Sequence, residues 1–171
     1  WAQRTIGRDG EFDSAHDLGA FAKVIAINLV GAFDAIRLAA SAMSRLEPTA
    51  SGERGAIVNI ASVAAFDGQI GQAAYAASKG GLVGLTLPVA RDLAAAGIRL
   101  NTVAPGLIDT PIYDFAEDPE AFKAKLGESV LFPRRLGDPA ELASMVVECL
   151  TNSYMNAEVV RVDGGIRMPP K

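Results

Sequence analysis

Apolar residues recur at helical spacing through Phe21, Val24, Ile25, Leu29, Phe33, Ile36 and Leu38, which marks one face of an amphipathic helix. Ser14-Ala15-His16-Asp17 has the form of a capping box ahead of this run,. The run extends to about Leu46, as one long helix or as two joined near Gly31,. Residues 1–13 form a polar loop, and Pro48 to Gly55 supply a turn. The compact apolar stretch Ala56–Ala61 then predicts a short buried strand,. Beyond a loop rich in Gly and Ala, a second helix is predicted from Gln72 to Ala96, with Gly97 as its C-cap glycine,. Pro88 falls inside that helix and should bend it or remove one backbone bond,. Ile98 to Ala104 is the second strand, stopped by Pro105-Gly106. Leu107 to Arg135 is mainly loop, with a short helix around Pro119–Leu126. Asp138-Pro139 caps a third helix to about Leu150, and Glu158 to Val162 is the last strand. Strands alternating with long helices predict an α/β fold with a parallel sheet covered by helices.

Composition supports one domain spanning 1–171: the chain has 171 residues, half of them hydrophobic and 21% charged, enough to fill one core and the opposite of a disordered balance. The formal net charge is −4 and the only basic pair of note, Arg134-Arg135, reads as a solvated loop feature. Nucleic-acid binding therefore has no electrostatic support. Cys149 is the sole cysteine and sits among Leu142, Met145, Val146 and Leu150 at helical spacing, so it reads as a packed core thiol. The lone His16 reads as a surface residue and no metal site is expected,. The longest uninterrupted apolar stretch, Gly80 to Ala90, is too short to cross a membrane,, so no membrane partner is expected. The amino terminus is not a signal peptide, and the default compartment is cytoplasmic. The first methionine is Met43, so the chain reads as part of a longer polypeptide.

Tyr75 and Lys79 lie four apart on the second helix and share one face,. An ammonium beside a phenol stabilises the phenolate and makes the tyrosine a usable acid/base. Such a pair is also a common accident of composition, so it gains weight only from company. Ser62 ends the first strand, where ligands gather in open α/β sheets,. Its hydroxyl can bond the same substrate oxygen that the tyrosine protonates, or simply cap a turn. The stretch Asn101 through Thr110 ends the second strand in a Pro-Gly turn aimed at the same crevice.

The ordered set Asn28-Leu29-Val30-Gly31, Asn59-Ile60-Ala61-Ser62, Tyr75-Ala76-Ala77-Ser78-Lys79, Asn101 to Thr110 and Val162-Asp163-Gly164-Gly165 resembles the classical short-chain dehydrogenases/reductases over nearly the whole chain. That resemblance implies a Rossmann-type doubly wound parallel sheet, of which this chain holds the C-terminal portion: three strands with flanking helices. It implies that Tyr75 is the acid/base, that Lys79 lowers its pKa and bonds the nicotinamide ribose, and that Ser62 orients the substrate oxygen. Asn28 would hold a water linking the lysine to a proton relay. Pro105, Gly106, Ile108 and Thr110 would meet the nicotinamide carboxamide. The segments Ala61 to Tyr75, Thr86 to Leu93, Arg135 to Glu141 and Arg161 to Met168 are similar in more detail to the type 2 3-hydroxyacyl-CoA dehydrogenases, also called 17β-hydroxysteroid dehydrogenase type 10. This narrower likeness implies NAD as cofactor, oxidation of a 3-hydroxyacyl thioester, and Gln69 beside the substrate oxygen. It also implies a homotetramer paired through the Tyr75 helix, whose Ala73, Ala74, Ala76, Ala77, Gly80 and Gly81 permit close packing; the same small residues could serve only packing on the chain's own sheet.

Two other readings stand beside this one: a 3-oxoacyl carrier-protein reductase using NADPH, against which the Gln69 region argues, and a non-catalytic oligomeric scaffold on the same fold, which would not need Ser62, Tyr75 and Lys79 together. One family feature is missing, because no Gly-x-x-x-Gly-x-Gly stands at a strand–helix junction. That turn lets backbone amides and a helix N-terminus meet the pyrophosphate. The 171-residue chain by itself is therefore expected to bind NADH only weakly; a calorimetric titration giving micromolar affinity would overturn this.

Overall fold

The computed structural model describes residues 2–170. Helices α1 (Leu18–Ile25) and α2 (Gly31–Met43) are joined without a break by a π-helical turn, Ala26–Val30. Then come β1 (Gly55–Ile60), α3 (Ala73–Ala94), β2 (Ile98–Pro105), α4 (Pro119–Gly127), α5 (Pro139–Thr151) and β3 (Val159–Val162). The three strands form a parallel sheet in the order β1-β2-β3, as the alternation of strands and helices predicts. Short 3-10 turns at Phe12–Ser14, Val63–Ala65 and Pro111–Tyr113 lie in stretches read from sequence as loop.

β2 is the buried spine. Ile98 through Ala104 are all buried, so both faces of this strand are covered, the usual condition of a parallel sheet. Leu100 packs with Ile36 of α2 and with Val89 and Ala90 of α3. One residue along, the strand period of two turns the side chain to the opposite face. There the Asn101 amide donates to the Met155 carbonyl at 2.9 Å, and its oxygen accepts from the Glu158 N–H at 3.1 Å. Those two bonds fix the entry into β3. Each large apolar side chain of β2 contributes about 1.5–3 kcal/mol by leaving water.

Capping differs from the sequence reading at the first helix. Asp17, not Ser14, is the N-cap, and its carboxylate accepts from the N–H groups of Gly19 and Ala20 at 2.7 and 3.1 Å. The Ser14 hydroxyl is engaged by Asp9 and by the Glu11 carbonyl, so it is spent inside the 3-10 turn. His16 is half-buried rather than a free surface residue: its Nδ1 donates to the Gln3 carbonyl at 3.0 Å, and its ring meets Phe21 edge-on. At α5 the capping box forms as the sequence implies, with Asp138 and Glu141 each satisfying a backbone N–H. Arg135 is not a merely solvated cation, because it forks onto Glu141 at 2.8 and 2.9 Å. Pro88 is accommodated within α3 on its exposed side. Gly97 follows the helix with φ +71°, and a Cβ there would collide with the Gly52 carbonyl oxygen, so the chain can turn into β2 only through glycine.

The segment Phe12–Met43 is long and apolar enough by length and composition to cross a membrane, which corrects the expectation that no such run exists. The sequence reading passed over it because Lys23, Asp34 and Arg37 interrupt it. In the fold, Leu29 and Ala32 pack against the buried cluster of Ala61, Leu82 and Ala104, while Asp34 and Arg37 pair on its outer side.

Cys149 is fully buried, as its helical neighbours imply. Arg99, 6% exposed, is the buried charge that sequence gave no sign of. It meets the Glu53 carboxylate through two nitrogens at 2.9 and 3.2 Å, and donates to the carbonyls of Cys149, Leu150 and Met155 at 2.7 to 2.8 Å. It thus neutralises the negative end of α5 while tying β2 to the loop before β1. The Arg99 guanidinium holds the Glu53 carboxyl below its ordinary pKa, so this stabilisation is present above the unfolded carboxylate pKa and is lost as pH falls through the folded one. Arg99→Leu should cost about 3–5 kcal/mol in urea unfolding at neutral pH. Glu53→Gln should be destabilising at neutral pH and progressively less so toward acid.

Candidate active site

β1 and β2 run parallel, with Ile60 opposite Val103, and the ladder continues one step as the Ala61 N–H donates to the Val103 carbonyl at 2.8 Å. Ser62 therefore emerges at the carboxyl end of the sheet. Its backbone is extended, and its Oγ accepts from the Ala64 N–H at 3.1 Å. The serine is thus a turn cap, as its plainer reading holds, but accepting one bond leaves its hydroxyl proton to donate elsewhere. Tyr75 lies in the first turn of α3, and Lys79 one turn further on. The Lys79 Nζ donates to the Ile60 carbonyl at 2.9 Å and lies 5.8 Å from the centre of the Tyr75 ring. One side chain therefore fastens the tyrosine-bearing helix to the strand end that delivers Ser62. Burial pushes the Lys79 ammonium below the ordinary lysine pKa.

Asn28 sits in the π-helical turn, a feature often found at functional positions,. Its amide donates to Ser78 Oγ at 3.2 Å, and Ser78, fully buried, donates in turn to the Tyr75 carbonyl at 2.8 Å. Asn28 thus holds the backbone of the Tyr75 turn through Ser78. It also shares with Lys79 and Asn59 a cavity of about 380 Å³ between α2, α3 and β1. The Asn59 side-chain nitrogen is buried at this cavity without a hydrogen-bond partner. Sequence reasoning named neither Ser78 nor Asn59 as a site residue, although both stand inside the motifs it quoted. What it lacked was the knowledge of which polar side chains turn inward.

At the end of β2 the Gly106 N–H donates to the Val162 carbonyl at 2.9 Å. A Cβ on Gly106 would lie 2.7 Å from Asp163 Cα, so only glycine lets the two strand ends pass this closely. Pro105 is the last residue of β2, and Ile108 makes a parallel bridge to Gly137. Thr110 precedes the turn Pro111–Tyr113 and makes no side-chain capping bond to it. Tyr113, not foreseen from sequence, is half-buried, and burial, Asp109 and Tyr75 raise its phenol pKa in that order. Gln69 is drawn toward the C-terminal segment, its amide donating to the Pro169 carbonyl at 3.1 Å. The structure thus brings Ser62, Tyr75, Lys79 and Asn28 together around the ends of β1 and α3. Pro105, Gly106, Ile108 and Thr110 lie at and just beyond the end of β2, while Gln69, on the loop between Ser62 and α3, lines a separate cavity with Arg4 to Arg8.

These residues suit the nicotinamide end of a dinucleotide: a half-buried lysine, an orphaned amide at the cavity wall, and a glycine-narrowed strand end beside an uncommitted threonine. No glycine-rich strand–helix turn for the pyrophosphate occurs among the described residues.

Three parallel strands with helices, and Ser62, Tyr75 and Lys79 at the carboxyl end of the sheet, define an open α/β domain of Rossmann type. Residues 6–167 match the family described as enoyl-(acyl carrier protein) reductase, and the chain belongs to that group of the short-chain dehydrogenases/reductases. It is 55% identical over 156 residues to 3-hydroxyacyl-CoA dehydrogenase type-2 of Bos taurus, covering 91% of this chain and 59% of that protein. The Drosophila melanogaster protein of the same name is 54% identical, with 91% and 60% covered. The crystal structure of 3-hydroxyacyl-CoA dehydrogenase type-2 from Mycobacterium avium superposes with a TM-score of 0.91 at 48% identity, over 99% of this chain and 64% of that one. The chain thus spans about 60% of the length of these curated relatives.

Because burial disfavours its charged form, Lys79 should titrate below the ordinary lysine range. In the reductively methylated protein, the dimethyl-lysine carbon resonance that disappears in Lys79→Arg should show the lowered midpoint.

Proposed function

We propose that this chain is the catalytic portion of an NAD-dependent dehydrogenase that oxidises the secondary alcohol of a 3-hydroxyacyl-CoA to the 3-oxo thioester. The observation that carries this is the bond from Lys79 to the end of β1, which brings the Tyr75–Lys79 face and Ser62 to one point. The names of the relatives supply the substrate class, and kinship with them supports NAD over NADP.

Ser62 and Tyr75 both hold the substrate hydroxyl oxygen. Tyr75, with Lys79 on the same helix face, takes the hydroxyl proton as the carbonyl forms. NAD, when bound, supplies the acceptor for the hydride leaving the same carbon. Lys79 and Asn28 line a cavity where they would hold the nicotinamide ribose, and Asn28 keeps the Tyr75 turn in register through Ser78. Pro105, Gly106, Ile108 and Thr110 would receive the carboxamide, and Gln69 would approach the substrate from the loop. The family description names reduction of an enoyl group; two hydroxyl donors converging on one oxygen suit a carbinol–carbonyl pair better than a carbon–carbon double bond. None of the described residues forms the glycine-rich turn that would hold the pyrophosphate. Ala73, Ala77 and Gly84 leave an exposed small-residue strip on α3, which suits close pairing with a second copy in a tetramer.

In a polypeptide carrying this chain with its nucleotide-binding segment, Tyr75→Phe should lower kcat with 3-hydroxyacyl-CoA and NAD by about 10²–10⁴-fold. Its unfolding transition should stay unchanged. Turnover that survives the substitution removes Tyr75 from the acid/base role.

A further inference from the structure

The loop from Ser62 to α3 is attached to a part of the chain nearly a hundred residues away. Arg161, on β3, reaches it with Nη2 2.8 Å from Asp67 Oδ2, while its Nε lies 2.7 Å from Asp163 Oδ2. The same Nη2 donates to the Ile166 carbonyl at 2.9 Å, and the guanidinium lies 5.1 Å from the centre of the Phe66 ring. Two further ties run alongside: Gln69 Nε2 to the Pro169 carbonyl at 3.1 Å, and the Ile70 N–H to the Pro170 carbonyl at 3.0 Å. Between these attachments the loop is open to solvent at Phe66, Gly68 and Ile70. The Arg161 and Asp67 side chains are only 21% and 17% exposed. A planar guanidinium fork shared among two carboxylates, a carbonyl and an aromatic face is a geometry that lysine cannot reproduce.

The Tyr75–Lys79 face is secured differently, by Lys79 on the Ile60 carbonyl and by Asn28 through Ser78. None of those bonds passes through Arg161. We propose that the Arg161–Asp67 pair is a positioning element: it clamps the Phe66–Ile70 loop to the C-terminal segment and so sets Gln69 against the acyl substrate, independently of the proton-transfer machinery. This rests on the dehydrogenase reading above.

The consequence is a division between binding and chemistry, because a displaced contact that grips the substrate equally in ground and transition states appears in KM. In the polypeptide that includes the nucleotide-binding segment, Asp67→Asn should raise KM for a 3-hydroxyacyl-CoA about tenfold, with kcat within about twofold and KM for NAD unchanged. Arg161→Lys should behave alike, and Asp67→Glu should restore most of the loss. Amide hydrogen exchange at Ile70 should quicken in Asp67→Asn, and this can be read without any turnover. Unchanged exchange at Ile70 with unchanged KM overturns the clamp. A fall in kcat together with a rise in KM for NAD also overturns it, since that is the mark of a general structural role. Quickened exchange in a parent protein that turns over no 3-hydroxyacyl-CoA upholds the clamp and sinks the dehydrogenase reading instead.

Discussion

Everything at the site hangs on the complete burial of β2. A strand covered on both faces must find partners for its backbone on both edges, and β1 and β3 supply them in parallel register,. Parallel strands place their carboxyl ends on one side of the sheet. Ser62 after β1, Pro105-Gly106 at the end of β2 and Asp163 after β3 are therefore neighbours by construction. The close passage of Gly106 by Asp163 shows how far this goes: the strand ends approach until no side chain fits between them.

Buried polarity follows the same logic with two kinds of outcome. Arg99, Asn101 and the Thr86–Thr102 hydroxyl pair, 2.6 Å apart, lie deep in the protein, and each has found partners. They join β2 to α3, to α5 and to the approach to β3, so their cost in desolvation is offset by fixing layers relative to one another. The orphaned nitrogen of Asn59 is different, because it faces the cavity shared by Asn28 and Lys79. A native fold tolerates such a group where something else is meant to bind or where chemistry is done, and here that place adjoins Lys79 of α3.

The order of elements and the parallel sheet were legible because strand and helix periods are written directly in the apolar positions. The placement of the candidate site was legible because Tyr75 and Lys79 are one helical turn apart and Ser62 closes a strand, relations that survive any detail of packing. Harder to read was local competition among similar groups. Ser14 and Asp17 both qualify as caps, and only the 3-10 turn at Phe12–Ser14, which consumes the serine, decides for aspartate. The π-helical turn around Asn28 was not read from the sequence, because apolar residues continue on both sides of it. Arg99 looked like an ordinary strand-end cation, and nothing in its neighbourhood in sequence pointed to Glu53 or to the end of α5. Tyr113 was hidden for the same reason: its nearness to Tyr75 is created by the path of the loop after β2.

The π-helical turn also explains how one helix can serve two masters. α3 must press its Gly81 side against Leu29, where a Cβ would fall 2.5 Å from the Leu29 methyl carbon Cδ2, and also present Tyr75 and Lys79 to the crevice. A regular helix opposite it would fix the direction of Asn28 by the same 3.6-residue period that fixes Leu29. Widening a single turn between α1 and α2 frees Asn28 from that period, so it can reach Ser78 while Leu29 stays in the core. The packing contact and the polar contact are adjacent in sequence, and the local change in helical pitch lets both be satisfied. The irregularity belongs to the catalytic arrangement as much as the residues it carries.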